Sequence, residues 1–294
     1  MTDQATDRPA TRADFRHFER LRVRWAEVDL QQIVFNGHYL MYFDTAVAGY
    51  WRAMALPYAD TMARLGGDLF VRKASCEYEA SARYDDLLDI GIRTQRIGNS
   101  SIVMAGAVFR GDELLVRGEL VYVWADPKTQ TSQPVPPPLR SVLQAFEAGE
   151  PMVEVAVGRW SALGERASRI RTQVFVDEQK IPAELEWDAA DADCLHALAC
   201  NRFGLPLATG RLLEHVPGVA KIGRMAVLAP MRGSRVGRAV LDALMQAARE
   251  RGDREALLHA QCSAAPFYAR AGFVPRGPVF EEAGIPHVEM VRTL

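Results

Sequence analysis

The 294-residue chain contains few cysteines and histidines, and neither set has the spacing of a metal site. No two cysteines form a Cys-x-x-Cys pair, and the six histidines include no His-Glu-x-x-His motif. Such patterns are the usual sequence signatures of zinc sites and redox centres. We therefore expect no tightly bound metal, and we expect reduced thiols, as is usual in the cytoplasm. The four cysteines are Cys76, Cys194, Cys200 and Cys262.

The sequence also lacks an excess of either charge and lacks long apolar segments. Its 35 basic and 37 acidic residues are spread evenly and leave a net charge of -2, which argues against nucleic-acid and membrane partners. Every apolar run falls well short of the ~18 residues that a transmembrane helix needs. The polar N-terminus has no apolar core of a secretory signal, so we expect a cytoplasmic protein.

Length and composition indicate two globular domains. At ~150 residues per domain, 294 residues suffice for two, and a hydrophobic content of 49% supplies two cores. The Gly149-Glu150-Pro151 segment is the strongest boundary signal between them. We predict a flexible tail over residues 1–18, a first domain over 19–148 and a second domain over 152–294.

The first domain is predicted to be α+β, with one long helix followed by an antiparallel sheet. Apolar side chains recur at three- and four-residue spacing from Tyr39 to Met54, which indicates a single helix. The Gly111-Asp112 pair signals a tight turn between the last two strands. The predicted strands are 21–25, 69–79, 87–97, 101–109 and 113–124, and a short helix ends near residue 148.

The second domain alternates helices and strands, which indicates an α/β fold. Its longest predicted helix carries Val236, Val240, Leu244 and Ala247 on one face. The predicted helices are 162–176, 236–251 and 264–271. The predicted strands are 152–157, 194–200, 207–213, 220–228, 256–260 and 287–291.

A loop that carries Asp29 precedes the long helix of the first domain. A carboxylate near a helix N-terminus can act as a base or a nucleophile on a carbonyl whose oxygen meets backbone N–H groups. Asn36 stands just ahead of the helix and is a candidate cap. On these residues alone, a solvated turn residue is the commoner role for such an aspartate.

Motifs of this half resemble those of hotdog-fold acyl-CoA thioesterases of the 4-hydroxybenzoyl-CoA thioesterase type. In that family an aspartate lies ten residues before a tyrosine of the central helix, and Asp29 and Tyr39 have this spacing. Arg83 to Asp86, Arg96 to Ser101 and the Asp126-Pro127 turn also follow the family. The resemblance implies a catalytic Asp29, as general base or nucleophile, a catalytic Asn36 and a substrate-binding Tyr39.

The resemblance extends over residues 18–148 and includes two departures. Gln32 stands where many relatives have glycine, and Ile33 stands where some acyl-carrier thioesterases have histidine. Hotdog domains pair so that two sheets join and the active sites lie between subunits. A homodimer or tetramer formed through this domain is therefore implied.

A glycine-containing turn lies between a strand and a helix in the second half, at Arg232 to Gly237. Such a turn presents backbone N–H groups and the positive end of a helix to a phosphate. The turn is not a P-loop, because no Gly-Lys-Ser/Thr sequence follows, and it is not a Gly-x-Gly-x-x-Gly dinucleotide motif.

The turn is similar to the Arg-x-x-Gly-x-Gly loop by which GNAT-type N-acyltransferases hold the pyrophosphate of acyl-CoA. Arg235 replaces the first glycine of that pattern. The downstream Phe-Tyr-x-x-x-Gly-Phe motif resembles the family's, and it implies that Tyr268 protonates the departing CoA thiolate. The implied CoA-binding residues are Met225, Ala226 and Val227 on the preceding strand and Arg232, Gly233, Ser234, Arg235, Val236, Gly237 and Arg238.

Residues upstream of this turn resemble a small bacterial subgroup of these transferases. That resemblance makes Glu178, Asp188 and His196 candidates for the acceptor pocket, and Glu178 and Asp188 are predicted to bind substrate. Salt bridges and caps that hold loops are the competing interpretation for each of the three residues.

Both halves thus indicate CoA thioesters as substrates, with no tightly bound cofactor and an amine as second substrate. We predict acyl-CoA hydrolysis in the first domain and acetyl or acyl transfer to an amine in the second. A competing hypothesis is a non-catalytic acyl-CoA-binding hotdog module attached to an active N-acetyltransferase. Two further hypotheses are a pair of domains coupled in one pathway and an acyl-homoserine-lactone-synthase-like transferase.

Overall fold

The computed structural model describes residues 10–294, which divide into two compact units, one ending at Met152 and the other beginning at Val153. Residues 1–9 of the predicted tail lie outside the described residues. The rest of that tail belongs to the first unit, because Phe15 is buried against Ala107 and Phe109. The apolar contact of Phe15 explains why the prediction of a tail to residue 18 was wrong.

The first unit combines one antiparallel sheet with three helices in its described part. The strands lie in the order β1-β3-β4-β5-β2, so β2 is at an edge. The first strand begins four residues earlier than predicted, and Trp25 lies instead in an exposed 3-10 turn. The elements are β1 (His17–Arg22), α1 (His38–Ala53), α2 (Tyr58–Leu65), β2 (Asp68–Tyr78), β3 (Leu87–Ile97), β4 (Ser101–Arg110), β5 (Glu113–Ala125) and α3 (Pro137–Glu147).

The long helix α1 packs against the sheet through Phe43, which is fully buried. Gly106 on β4 and Gly118 on β5 are direct partners in the strand register. A Cβ atom on either glycine would lie closer than 3.0 Å to the Phe43 ring. The two glycines therefore form a recess that lets the helix approach the sheet, and this contact places the N-terminal end of α1 beside the Asp29 loop.

The second unit is built on a seven-stranded sheet in the order β11-β12-β10-β9-β8-β7-β6. Of the pairings described, only β9 with β10 is parallel. The elements are β6 (Val153–Arg159), α4 (Trp160–Arg171), α5 (Ala183–Glu186), α6 (Ala190–Asp193), β7 (Leu195–Asn201), β8 (Pro206–Val216), β9 (Val219–Val227), α7 (Val236–Arg251), β10 (Glu255–Gln261), α8 (Ala265–Arg270), β11 (Val274–Glu282) and β12 (Ile285–Thr293).

Several elements of this unit differ from the sequence prediction, and the short helices α5 and α6 were not predicted. The predicted helix 162–176 is α4 followed by a π-helical segment, Thr172–Glu178. The edge strand β11 was not predicted, because its Pro275, Gly277 and Pro278 are residues that usually interrupt strands. Proline is tolerated there because the outer side of an edge strand needs no N–H donor.

The parallel pairing of β9 with β10 ends early and opens the sheet. Paired residues extend only to Ile222 and Leu258, although β9 continues to Val227 and β10 to Gln261. On its other side, β9 has a register shift against β8 beyond Gly223. The two strands therefore diverge at their carboxyl ends, and a cavity occupies the opening. Across residues 10–294, no helix is both long enough and apolar enough to cross a bilayer.

Candidate active sites

Asp29 lies in a tight turn that precedes α1 in the first unit. The Asp29 amide donates to the Ile33 carbonyl at 2.9 Å, and the Gln32 amide donates to the Asp29 carbonyl at 2.9 Å. The half-buried Asp29 carboxylate accepts a hydrogen bond from the Gln31 amide at 2.8 Å. Gln32 has a φ of 60°, which is the left-handed conformation that glycine adopts readily.

A buried carboxylate that the sequence analysis did not single out anchors this turn. Glu27 is 3% exposed and accepts hydrogen bonds from the Tyr42 hydroxyl at 2.9 Å and the Arg24 amide at 2.7 Å. Its backbone carbonyl also accepts from the Phe35 amide at 2.9 Å. Burial by itself raises the pKa of Glu27, but the hydrogen bonds from Arg24 and Tyr42 outweigh it and leave that pKa below its ordinary value.

The other two predicted residues of this site have structural contacts. The helix begins after Gly37, and no side chain caps it, so Asn36 does not form the cap that its position suggested. The exposed Asn36 accepts a hydrogen bond from the Tyr78 hydroxyl through its backbone carbonyl. Tyr39 is buried, and its hydroxyl accepts the Ala82 amide at 3.0 Å. Tyr39 therefore joins α1 to the loop after β2.

The opening between β9 and β10 holds a cavity of about 500 Å³ in the second unit. Met225 and Asp188, two of the predicted site residues, contribute to its wall. Tyr268, the predicted general acid, lines the cavity from α8. Burial raises the pKa of Tyr268 to about 12, because the phenolate would be poorly solvated. Its hydroxyl is therefore protonated at neutral pH and can donate a proton.

The predicted pyrophosphate loop connects β9 to α7. Arg235 has a φ of 66° and immediately precedes the first residue of the helix, Val236. Arg235 thus adopts the backbone conformation that the glycine of the family pattern would take without strain. Gly237 lets the helix approach β9, since a Cβ there would lie 2.9 Å from the Val227 side chain. Amides of the first helical turn have no partner within a helix and can bind an anion.

The structure brings together two residues to which the sequence analysis gave separate roles. Arg232 forms a two-bond ion pair with Glu178, at 2.6 and 2.7 Å. The Arg232 guanidinium holds the pKa of the Glu178 carboxyl below its ordinary value. Glu178 is not among the residues that line the cavity. Its contact therefore supports the loop that follows β9 rather than an acceptor pocket.

A partly buried ionic network forms part of the cavity wall and includes Asp188. Arg211 donates to Asp188 at 2.7 Å and to Asp191 at 2.8 Å, and Arg171 also binds Asp191 at 2.8 Å. Arg171 further contacts Glu186, and Arg224 lies 3.2 Å from the same carboxylate. The network pairs three arginines with three carboxylates. Salt bridges, the competing interpretation of Asp188, are thus what the structure shows for its carboxylate.

His196 is fully buried next to this network and does not line the cavity. Its Nε2 lies 2.9 Å from the Asp191 carbonyl and 3.3 Å from the Cys194 sulfur. Asp191, Cys194 and His196 offer ligand atoms within 4.8 Å of one another. The Asp191 carboxylate is already neutralised by two arginines, however, so this group is poorly suited to hold a cation.

Comparison with known families accounts for both halves. The model of the thioesterase superfamily matches residues 31–117, and the model of the acetyltransferase (GNAT) domain matches residues 207–294. The chain joins a hotdog thioesterase domain to a GNAT domain. Both families act on CoA thioesters, which agrees with the predicted substrates and requires no tightly bound cofactor.

Curated relatives and solved structures match one domain at a time. The uncharacterized N-acetyltransferase YjcF of Bacillus subtilis is 36% identical over 124 residues, which cover 42% of this chain and 87% of YjcF. Protein ElaA of Escherichia coli is 32% identical over 128 residues, covering 42% and 83%. A thioesterase of Thermus thermophilus, solved with coenzyme A and zinc, is 26% identical with a TM-score of 0.41 and covers 47% of this chain and 98% of that one.

Proposed function

We propose that the chain is a bifunctional CoA-thioester enzyme. The thioesterase domain hydrolyses an acyl-CoA, and the GNAT domain transfers an acyl group, most simply acetyl, from CoA to an amine. The observation that carries the proposal is the cavity between β9 and β10. Tyr268, which is buried and protonated, lines this cavity. In the same domain, the loop after β9 leads into a helix N-terminus that no side chain caps.

In the GNAT domain, the reaction begins with acyl-CoA held by the turn from Arg232 to Gly237. The amine nitrogen attacks the thioester carbonyl, the carbon–sulfur bond breaks, and Tyr268 gives its proton to the departing thiolate. The divergence of β9 from β10 supports this arrangement, because the unpaired edge of β9 beyond Ile222 offers backbone groups to the pantetheine arm. The attacking nitrogen loses one proton when the amide forms, and this proton restores the Tyr268 hydroxyl through solvent.

In the thioesterase domain, Asp29 is the group proposed to act on the thioester. Its carboxylate either takes a proton from the water that attacks the thioester carbonyl, or attacks the carbonyl directly to form a mixed anhydride that water then hydrolyses. In both routes the carbon–sulfur bond breaks, and CoA leaves as a thiolate that takes a proton from solvent. The turn that holds Asp29 is fixed by its own backbone hydrogen bonds and by the buried Glu27. A fixed carboxylate serves either role, because it does not have to be reoriented when the substrate binds.

Thiol release from a panel of short, long and aryl acyl-CoAs, with and without amines, tests both activities. We expect Asp29→Asn to lower amine-independent release by at least ~100-fold and to leave amine-dependent release unchanged. Tyr268→Phe should lower only the amine-dependent release, by about 100-fold. Amine-independent release that persists in Asp29→Asn would contradict the thioesterase proposal. If the wild-type domain binds acyl-CoA but releases no thiol without an amine, the domain is a binding module.

A single turnover in ¹⁸O-labelled water separates the two roles of Asp29. A nucleophilic carboxylate acquires label when water opens the anhydride at the carboxyl carbon of Asp29, whereas a general base does not. Mass spectrometry of the peptide that contains Asp29 gives the answer. Label in this peptide would assign Asp29 as the nucleophile and exclude the base role.

We also propose that two copies of the chain associate through the thioesterase domain. The edge strand β2 exposes Phe70, Val71 and Tyr78, and an exposed apolar edge strand is a template for pairing with another chain. Sedimentation equilibrium should give at least twice the chain mass of 32.6 kDa. A single species at the mass of one chain would contradict the proposal.

A further inference from the structure

The cavity of the GNAT domain is lined by charged side chains, most of which are already neutralised. The ionic network in its wall holds three positive and three negative groups in mutual contact, so it presents no net charge to a substrate. These groups are Arg171, Arg211, Arg224, Glu186, Asp188 and Asp191. Recognition of a charged acceptor therefore depends on the remaining charges of the wall.

Two of those remaining groups are a lysine and a carboxylate. Lys221 lies on β9, is half-buried and lines the cavity. Among residues 10–294, no carboxylate lies within 4.0 Å of its ammonium group, whereas Arg211 and Arg224 are paired. Glu282, at the end of β11, also lines the cavity, and its ion-pair partner in the described part of the chain is His259.

His259 connects this carboxylate to the cavity. Its Nδ1 lies 3.2 Å from Glu282, which is the geometry of a carboxylate that orients an imidazole. Its Nε2 lies 3.8 Å from Glu289, which is beyond hydrogen-bond distance but within ion-pair distance of a protonated imidazole. Glu289 itself is bound by Arg276 at 2.6 Å. The wall therefore offers an imidazole that lies between two carboxylates and whose Nε2 can accept a proton.

The strand register places the lysine and the histidine side by side. Lys221 pairs with Leu257 across the parallel strands, so His259 is two residues further along β10. A strand spacing of about 4.8 Å and a rise of about 3.3 Å per residue put their Cα atoms about 8 Å apart. Long side chains that start this far apart can contact the two ends of one small molecule.

We propose that the acceptor of the GNAT domain is an amine that also carries a carboxylate, such as a small amino acid. This inference rests on the proposed acyltransferase function and names its substrate class. Lys221 binds the carboxylate of the acceptor. Glu282 and His259 receive its ammonium group, and His259 removes one proton so that the neutral amine can attack.

The proposed step balances in atoms and charge. The nitrogen–carbon bond of the amide forms, and the carbon–sulfur bond of the thioester breaks. His259 takes the proton of the ammonium group, and Tyr268 supplies the proton of the CoA thiol. His259 then passes its proton to Tyr268 through solvent. The second proton of the ammonium group is released to solvent, and the enzyme returns to its starting state.

The test compares free amino acids with their neutral amides as acceptors, using the full-length protein and acetyl-CoA. Mass spectrometry of the N-acetylated product excludes any contribution from thioester hydrolysis. We expect a KM for the free acid at least about tenfold lower than that for the amide. Lys221→Met should remove this preference by raising the KM for the free acid to about that for the amide, while Lys221→Arg should retain it.

Lys128→Met is the matched control, because it removes the same charge from an exposed position in the other domain. It should retain the wild-type preference. For His259→Gln we expect kcat to fall about 100-fold for acids and amides alike, with little change in either KM. A structural role alone would not separate kcat from KM in this way.

The outcomes distinguish the two proposals. If the wild-type protein acetylates neither these acceptors nor any other amine of the panel, the acyltransferase function itself fails. If it acetylates other amines but neither acids nor amides, the carboxylate-bearing acceptor is overturned. If amides are acetylated as well as acids, or if Lys221→Met keeps the preference for acids, the transferase stands and the carboxylate-bearing acceptor is overturned. An unchanged kcat in a folded His259→Gln protein would overturn the role of His259.

Discussion

The loops that precede the two long helices share one backbone feature but differ in how soon the helix begins. In each, a residue with a full side chain has the left-handed conformation at a position where the family resemblance implies that glycine is common: Gln32 at φ 60° and Arg235 at φ 66°. After Gln32 the chain continues for several residues before α1 begins at His38. After Arg235 the helix α7 begins at the next residue.

This difference determines what each loop can present to a substrate. The Asp29 turn uses its amides for its own hydrogen bonds, so the group it offers is a carboxylate. The Arg235 turn leads directly into a helix whose first amides have no intrahelical partner, so it offers N–H donors to an anion. One backbone conformation thus precedes a carboxylate proposed to react in one domain and a helix end proposed to bind phosphate in the other.

The anchors of the two loops differ in burial. Glu27 holds the Asp29 turn from inside the core, at 3% exposure. The Arg232–Glu178 pair that supports the second loop is largely exposed, with side chains 45% and 42% accessible. Buried charge-assisted hydrogen bonds contribute more to stability than exposed ion pairs do. The first loop should therefore depend more strongly on a single anchor.

The largest effect is expected for Glu27→Ala. Loss of the hydrogen bonds from Tyr42 and Arg24 should lower the free energy of unfolding of the first domain by about 2 kcal/mol. Because the pKa of Glu27 is lower in the folded state, its contribution is present above the ordinary glutamate pKa and is lost as the pH falls below it. Urea titrations at neutral and acidic pH measure both effects.

Glu119→Ala is the control, since that carboxylate forms an exposed pair with Lys73. Its effect should stay below about 1 kcal/mol. Equal losses in the two variants would remove the contrast between buried and exposed anchors on which the comparison depends.

The next effect concerns the close approach of α7 to β9. Gly237→Ala places a Cβ 2.9 Å from the Val227 side chain, so the first helical turn must shift away from the strand. We expect the KM for acetyl-CoA in the amine-dependent reaction to rise about tenfold, with hydrolysis unchanged. In Gly158→Ala the new Cβ meets Leu163 at an ordinary 3.5 Å, and no change in KM should follow.

The smallest effects are expected for the two left-handed residues. Gln32→Gly and Arg235→Gly should each stabilise their domain by about 0.5 kcal/mol, because relief of backbone strain slightly exceeds the added entropy of the unfolded chain. If the Arg235 side chain also binds pyrophosphate, Arg235→Gly will raise the KM for acetyl-CoA despite this gain. An unchanged KM would limit the role of Arg235 to its backbone.

Local patterns in the sequence predicted the elements with strong periodicity. The helix predicted from Tyr39 to Met54 is α1, and the helix predicted over 236–251 is α7, with the same bounds. The short helix α2 and the strand β11 were not predicted, because eight residues give little periodicity and prolines mask an edge strand. The predicted start of β1 was too late, because Phe15 packs against Ala107 and Phe109, which are far from it in the sequence.

Local sequence patterns likewise predicted only part of the candidate sites. The spacing of Asp29 from Tyr39 and the pattern around Tyr268 were visible in the sequence because each lies within one short segment. Glu27 and Lys221 could not be singled out, since a glutamate or lysine on a strand or turn is ordinary until its burial or its lack of a partner is known. The one local signal for this buried anchor was that Glu27 stands two residues before Asp29 in the sequence.

The sequence by itself determined the two domain families, the order of their main elements and the segments proposed to approach CoA, because these depend on periodicity and on motifs within a few residues. Only the tertiary structure decided which charges remain unpaired. Arg232 and Glu178 are 54 residues apart, and His259 and Glu282 are 23 apart. Such pairs form when the sheet brings distant strands and loops together, so electrostatic complementarity to a substrate is a property of the folded domain.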